Sequence, residues 1–125
     1  MELKLRITIQ DDEGKKFLGK GVLQLLEGIE NEGSLRQAAA KTGISYSKAH
    51  RMISFLEQSV GGDIVTHSKG GQDRHGSVLT PLGVAILKSF NKLESKCLSD
   101  SENYFKEFEK EITSLEEALL DVRKT

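Results

Sequence analysis

The chain has 125 residues, enough for one domain with an appendage and a core of useful size. Charged residues make up 30% and apolar residues 37%, an ordinary soluble profile, and no run approaches the roughly 20 apolar residues a membrane span needs. A net charge of −1 does not by itself indicate a nucleic-acid binder, and the single Cys97 rules out an intramolecular disulfide or a thiolate metal cluster within one chain.

Leu3, Leu5, Ile7 and Ile9 alternate with Lys4, Arg6, Thr8 and Gln10, a period of two that predicts a strand with one buried face. The same alternation is unlike the apolar block of a signal peptide, so the expected location is the cytoplasm. Asp11-Asp12-Glu13-Gly14 is a turn, and residues 15–18 return briefly toward the strand. From about Lys20 the period changes, and Val22, Leu25, Leu26 and Ile29 mark a first helix that ends near Gly33. Ser34 is placed to cap a second helix over roughly 35–42, with Gly43 as its left-handed stop. Ser45 or Tyr46 opens a third helix that runs to about Ser59 on an apolar face of Ala49, Met52, Ile53 and Leu56. The small residues Ala38, Ala39 and Ala49 permit a close crossing at the Gly43 turn, which makes the segment a helix-turn-helix.

After Gly61-Gly62 the alternation returns, and residues 64–67 and 77–80 read as two short strands. Between them lies a glycine-rich, polar loop of the kind that forms a wing behind a recognition helix. Pro81 begins a fourth helix capped by Thr80, with Leu82, Ile86, Leu87, Phe90 and Leu93 on its apolar face and Cys97 continuing that face as a small core residue. Ser99 and Glu102 match a capping box, so a break is expected there. Beyond it Phe105, Phe108, Ile112, Leu115, Leu119 and Val122 recur at 3, 4, 3, 4 and 3, a heptad seam assigned to dimerisation, with packing on the same chain as second choice. The expected domains are therefore 1–98, a DNA-binding domain, and 99–125, a coiled-coil-like helix.

Charge is distributed unevenly along this order. Residues 34–80 carry six cations against three carboxylates, net +3, whereas residues 100–125 carry eight carboxylates against four cations, net −4. A basic middle with an acidic tail still allows one electropositive face. The residues expected to contact DNA are Ser34, Arg36, Ser45, Tyr46, Ser47, Lys48 and Arg51 on the helix-turn-helix, and Lys69, Gln72 and Arg74 on the wing. Arginine reads guanine with two hydrogen bonds, and lysine more often meets phosphate. Phe90, Phe105 and Phe108 lie on apolar helical stripes rather than in a basic groove, which disfavours single-strand binding. His50, His67 and His75 lack metal-site spacing, and no P-loop, dinucleotide fingerprint or nucleophile elbow is present. No metal, no cofactor and no catalytic activity are expected.

The runs Gly33-Ser34-Leu35-Arg36-Gln37-Ala38-Ala39 and Gly43-Ile44-Ser45-Tyr46-Ser47-Lys48-Ala49, with Val78-Leu79-Thr80-Pro81-Leu82-Gly83 downstream, resemble the N-terminal DNA-binding domain of the molybdate-responsive ModE regulators. The LysR-type winged helices are a more distant match. The resemblance covers roughly residues 2–95 and implies a dimeric, sequence-specific factor on duplex DNA; it does not extend to the family's oxyanion-binding domains, so molybdate binding is not expected of this chain. Where that family favours a bulky aromatic, the chain carries His50. The expected fold is α+β and mostly α, a winged helix-turn-helix with an N-terminal strand or hairpin and a C-terminal dimerisation helix. The expected function is transcriptional regulation by a homodimer on a roughly palindromic operator, with a sensor or effector protein as a further partner. The alternative is a winged-helix module that binds a partner protein through its C-terminal helix.

Overall fold

The computed structural model describes residues 1–67 and 76–124. Its elements in chain order are β1 (Ile9–Gln10), β2 (Lys16–Leu18), α1 (Lys20–Glu32), α2 (Leu35–Thr42), α3 (Tyr46–Val60), β3 (Val65–His67), β4 (Ser77–Leu79) and α4 (Pro81–Lys124). The strands form two antiparallel pairs, β1 with β2 and β3 with β4. This is the expected mostly helical winged arrangement with a long C-terminal helix. The chain divides into one unit of Ile7–Asn91 and another of Met1–Arg6 with Lys92–Thr125.

Local chemistry fixes the helix limits in the first unit. The Ser34 hydroxyl accepts from Gln37 N at 3.2 Å and the Ser45 hydroxyl from Lys48 N at 3.1 Å, so α2 and α3 each open on a side-chain cap. Thr80 does the same for α4, accepting from Gly83 N at 3.0 Å. The three preceding helices stop at Gly33, Gly43 and Gly61, whose φ of 68°, 77° and 73° lies in the left-handed region that other residues enter only at a steric cost.

Between these ends the apolar faces converge. Leu25, Leu26, Ile29 from α1, Leu35, Ala38, Ala39 from α2, Ala49, Ile53, Leu56 from α3, Ile64, and Leu87, Phe90 from α4 form one buried cluster, with Ile44 and Met52 against its edge. Each fully buried leucine or isoleucine contributes about 1.5–3 kcal/mol over exposure. Backbone proximity sets the small residues. A Cβ on Gly28 would stand 2.5 Å from Ala38 Cβ, and one on Gly83 would stand 2.5 Å from the Ile64 carbonyl oxygen. Ala38 was legible as a close-approach residue, but its partner on α1, Gly28, was not.

Three expectations change. The N-terminal strand shrinks from eight residues to two, because the chain turns into α1 two residues after Leu18 and gives residues 3–8 no paired strand. No break falls at Ser99–Glu102: α4 is continuous from Pro81 to Lys124, no glycine or proline follows Gly83, and Ser101 satisfies its hydroxyl within the helix by donating to the Leu98 carbonyl at 2.8 Å. Leu82 and Leu93, expected in the core, are exposed, and Cys97 is only half-buried. Among the described residues no helix is long and apolar enough to cross a membrane.

Candidate nucleic-acid interface

The surface of interest is built by α2, the Gly43 turn and α3. Helical periodicity turns Ala49, Ile53 and Leu56 inward, which leaves Ser47, Lys48, His50 and Arg51 exposed along the outer face of α3. Ser45 is also exposed, with its hydroxyl oxygen engaged as the cap of α3. From α2, Arg36 reaches across the turn, and its Cζ lies 4.4 Å from the centroid of the Tyr46 ring. One helical turn further on, the His50 ring stands 6.1 Å from the same ring at an interplanar angle of 50°.

Electrostatically this face is unopposed. Among the described residues, Arg36, Lys48 and Arg51 have no ion-pair partner. Lys41, also on α2, differs in being paired with Glu32. The structure therefore brings Arg36, Ser45, Tyr46, Ser47, Lys48 and Arg51 together on one solvent-facing surface.

Ser34 does not join them. It is 8% exposed, and its oxygen accepts from Gln37 N as the α2 cap. Lys69, Gln72 and Arg74 lie outside the described residues. Of the proposed dimerisation row, Phe105 and Ile112 are partly buried, whereas Phe108, Leu115, Leu119 and Val122 are 51%, 60%, 60% and 71% exposed. Phe105 and Phe108 stack at 6.4 Å.

Two residues that position the wing strands escaped sequence reasoning. Ser77, only 2% exposed, opens β4: its N–H donates to the Gly33 carbonyl at 2.8 Å, its oxygen accepts from Leu35 N at 3.2 Å, and His67 Nδ1 lies 3.2 Å from that same oxygen. One hydroxyl thus fastens the strand pair to the start of α2. Glu57 fastens it to α3, its carboxylate accepting from Ile64 N at 2.9 Å and Val65 N at 3.4 Å. Both bonds link residues that share no periodic pattern, so neither leaves a mark in the sequence.

Against known proteins, the family described as bacterial regulatory helix-turn-helix protein, lysR family, matches residues 22–84. The molybdenum transport protein ModE of Azotobacter vinelandii is 32% identical over 89 residues, covering 71% of this chain and 33% of that protein. The molybdenum-pterin-binding protein MopB of Rhodobacter capsulatus is 31% identical over 78 residues, 62% of this chain and 29% of that protein. The DNA-binding transcriptional dual regulator ModE of Escherichia coli K12 is 29% identical over 93 residues, 74% and 35% respectively. The chain spans about a third of the length of these curated relatives. Among solved structures, the CbnR_DBD–DNA complex superposes with a TM-score of 0.54 at 20% identity, over 66% of this chain and 88% of that one. Full-length OxyR C199D of Pseudomonas aeruginosa gives 0.51 at 22%, over 66% and 26%. These two likenesses concern the fold.

Proposed function

Because the chain belongs to the LysR family of bacterial regulatory helix-turn-helix proteins, we propose that it is a transcriptional regulator that binds duplex DNA, with α3 as its recognition helix. The observation that carries this reading is the unopposed row of Lys48 and Arg51 on the outer face of α3, flanked by Arg36. A helix about 10–12 Å across fits the roughly 12 Å major groove. Arg51 and Lys48 face base edges and adjacent phosphates, Ser45 and Ser47 supply short polar contacts at the start of the helix, and Arg36 with Tyr46 lies toward the backbone of one strand. Lys69, Gln72 and Arg74, from the segment between β3 and β4, are proposed to reach flanking phosphates. The role is one of binding, with no catalytic step.

The DNA-binding part is assigned to residues 1–98 and the remainder of α4 to assembly. Phe105, Phe108, Ile112, Leu115, Leu119 and Val122 would pair with the same row of a second copy. A twofold pair of recognition helices then spans half-sites about 34 Å apart on a roughly palindromic site in cytoplasmic DNA. A sensor or effector protein is a further proposed partner. The exposure of Phe108, Leu115 and Leu119 favours one second reading, in which this row takes a different protein and DNA contact is lost.

Salt-titrated binding to a random duplex pool, followed by sequencing of the bound fraction, separates the two. The DNA-binding reading expects an enriched motif, an affinity that falls steeply with salt, and loss of at least tenfold in the K48A/R51A double variant. A protein adaptor would select no motif and bind weakly at every salt concentration.

A further inference from the structure

We propose that Tyr46 is a positioning residue, whose ring is the platform that holds the Arg36 guanidinium beside the N-terminal end of α3. A phosphate contact made from α2 is in this way organised by a side chain of the recognition helix. The proposal deepens the DNA-binding reading and rests on it. The guanidinium carbon stands 4.4 Å from the ring centroid, well inside the roughly 6 Å over which a ring face attracts a cation. No carboxylate competes for Arg36 among the described residues, so the ring is the contact that localises an otherwise freely rotating side chain.

The platform is itself located. Tyr46 is the first residue of α3, directly after the Ser45 cap, and is 37% exposed, so its ring is partly packed at the turn. His50, one turn along, flanks the ring from the same helix. Contact with a ring face uses no hydrogen-bond acceptor, so Arg36 donors remain available to an anionic oxygen. Arginine donors match phosphate oxygens in pairs, which gives orientation of the guanidinium its value. Because Arg36 and Tyr46 lie on opposite sides of the Gly43 turn, the pair also ties the reach of α2 to the position of α3.

The decisive comparison is between loss of the ring and loss of the hydroxyl. Fluorescence anisotropy on a duplex carrying the selected motif is measured for the full chain and for Y46F, Y46L, R36A and R36A/Y46L. Expected are Y46F within twofold of the unaltered chain and Y46L weaker by about two- to fivefold, the range a cation–π contact supports. R36A should lower the salt slope by about 0.9, as for one lost phosphate contact, and adding Y46L to R36A should change affinity by less than about 1.5-fold. In proton spectra, the ring-current shift of the Arg36 side chain should persist in Y46F and vanish in Y46L. Y46F as weak as Y46L would overturn the proposal in favour of a direct hydroxyl contact, and so would effects of Y46L and R36A that simply multiply. Absence of binding by the unaltered chain overturns the DNA-binding reading and this proposal with it, and is seen before any variant is made. Melting temperatures are measured alongside: a Y46L affinity loss with the protein still fully folded at the assay temperature ties the difference to the interface, and a loss that tracks unfolding overturns the proposal.

Discussion

Replacing Gly28 by alanine tests how closely α1 and α2 are packed. The new Cβ would lie 2.5 Å from Ala38 Cβ and 3.0 Å from Ala38 Cα. Non-bonded carbons rest about 3.5–4.0 Å apart, so the helices must separate by about 1 Å, and no rotamer change relieves a contact between two Cβ atoms. Overpacking of this kind costs about 1–3 kcal/mol, and the upper half of that range applies because Ala38 is fully buried and its backbone is engaged as well. Alanine in place of a helical glycine returns about 1 kcal/mol through propensity. The net loss is therefore about 1–2 kcal/mol, a fall of about 1 M in the urea midpoint at a slope of about 1.5 kcal/mol/M. Adding A38G opens part of the space, so the G28A/A38G pair should lose less than the sum of its single variants. A G28A midpoint at or above that of the unaltered chain would refute this account, since it would mean that the helices yield freely and propensity prevails.

Other perturbations give smaller or different signatures. E57A removes the acceptor of the fully buried Ile64 N–H and should cost about 1–3 kcal/mol in denaturant unfolding, with E57Q milder because an amide oxygen still accepts; equal losses for the two would contradict that role. S45A should destabilise by about 1 kcal/mol through loss of the α3 cap, with a matching loss of helical circular dichroism on heating. F108S/L115S should shift sedimentation equilibrium toward monomer without lowering the stability of the Ile7–Asn91 unit, whereas an unchanged distribution would remove the heptad row from dimerisation. K41A should change stability by well under 1 kcal/mol, because its ion pair with Glu32 is largely solvent-screened.

The helix-turn-helix was legible because its signals are local. A hydroxyl three residues before the amide it caps, and a glycine at each left-handed stop, are properties of a few consecutive residues. The strands were less legible because alternation at Leu3–Gln10 reports a capacity to pair, and pairing was decided by where β2 ends. Ser99–Glu102 misled for a related reason: a capping box opens a new helix only where the preceding backbone is otherwise ready to leave its own, and nothing from Gly83 onward is. In the candidate interface, the exposed residues of α3 followed from periodicity. The burial of Ser34, the Ser77 fastening and the stacking of Arg36 on Tyr46 each depend on residues far apart in sequence or on a turn's geometry, which spacing does not encode.

The Ser77 fastening also bears on the order in which the molecule assembles. The limits of α1, α2 and α3 are written within their own residues, and contacts of short sequence separation form early at low entropic cost. The bond from Leu35 to Ser77 closes a loop of 42 residues and becomes favourable only once α2 already presents its free amide. The strand pair is therefore expected to dock late, on helices already formed. Kinetically, S77A should raise the unfolding rate and spare the refolding rate. Equal slowing of refolding would place the strand pair in the nucleus instead.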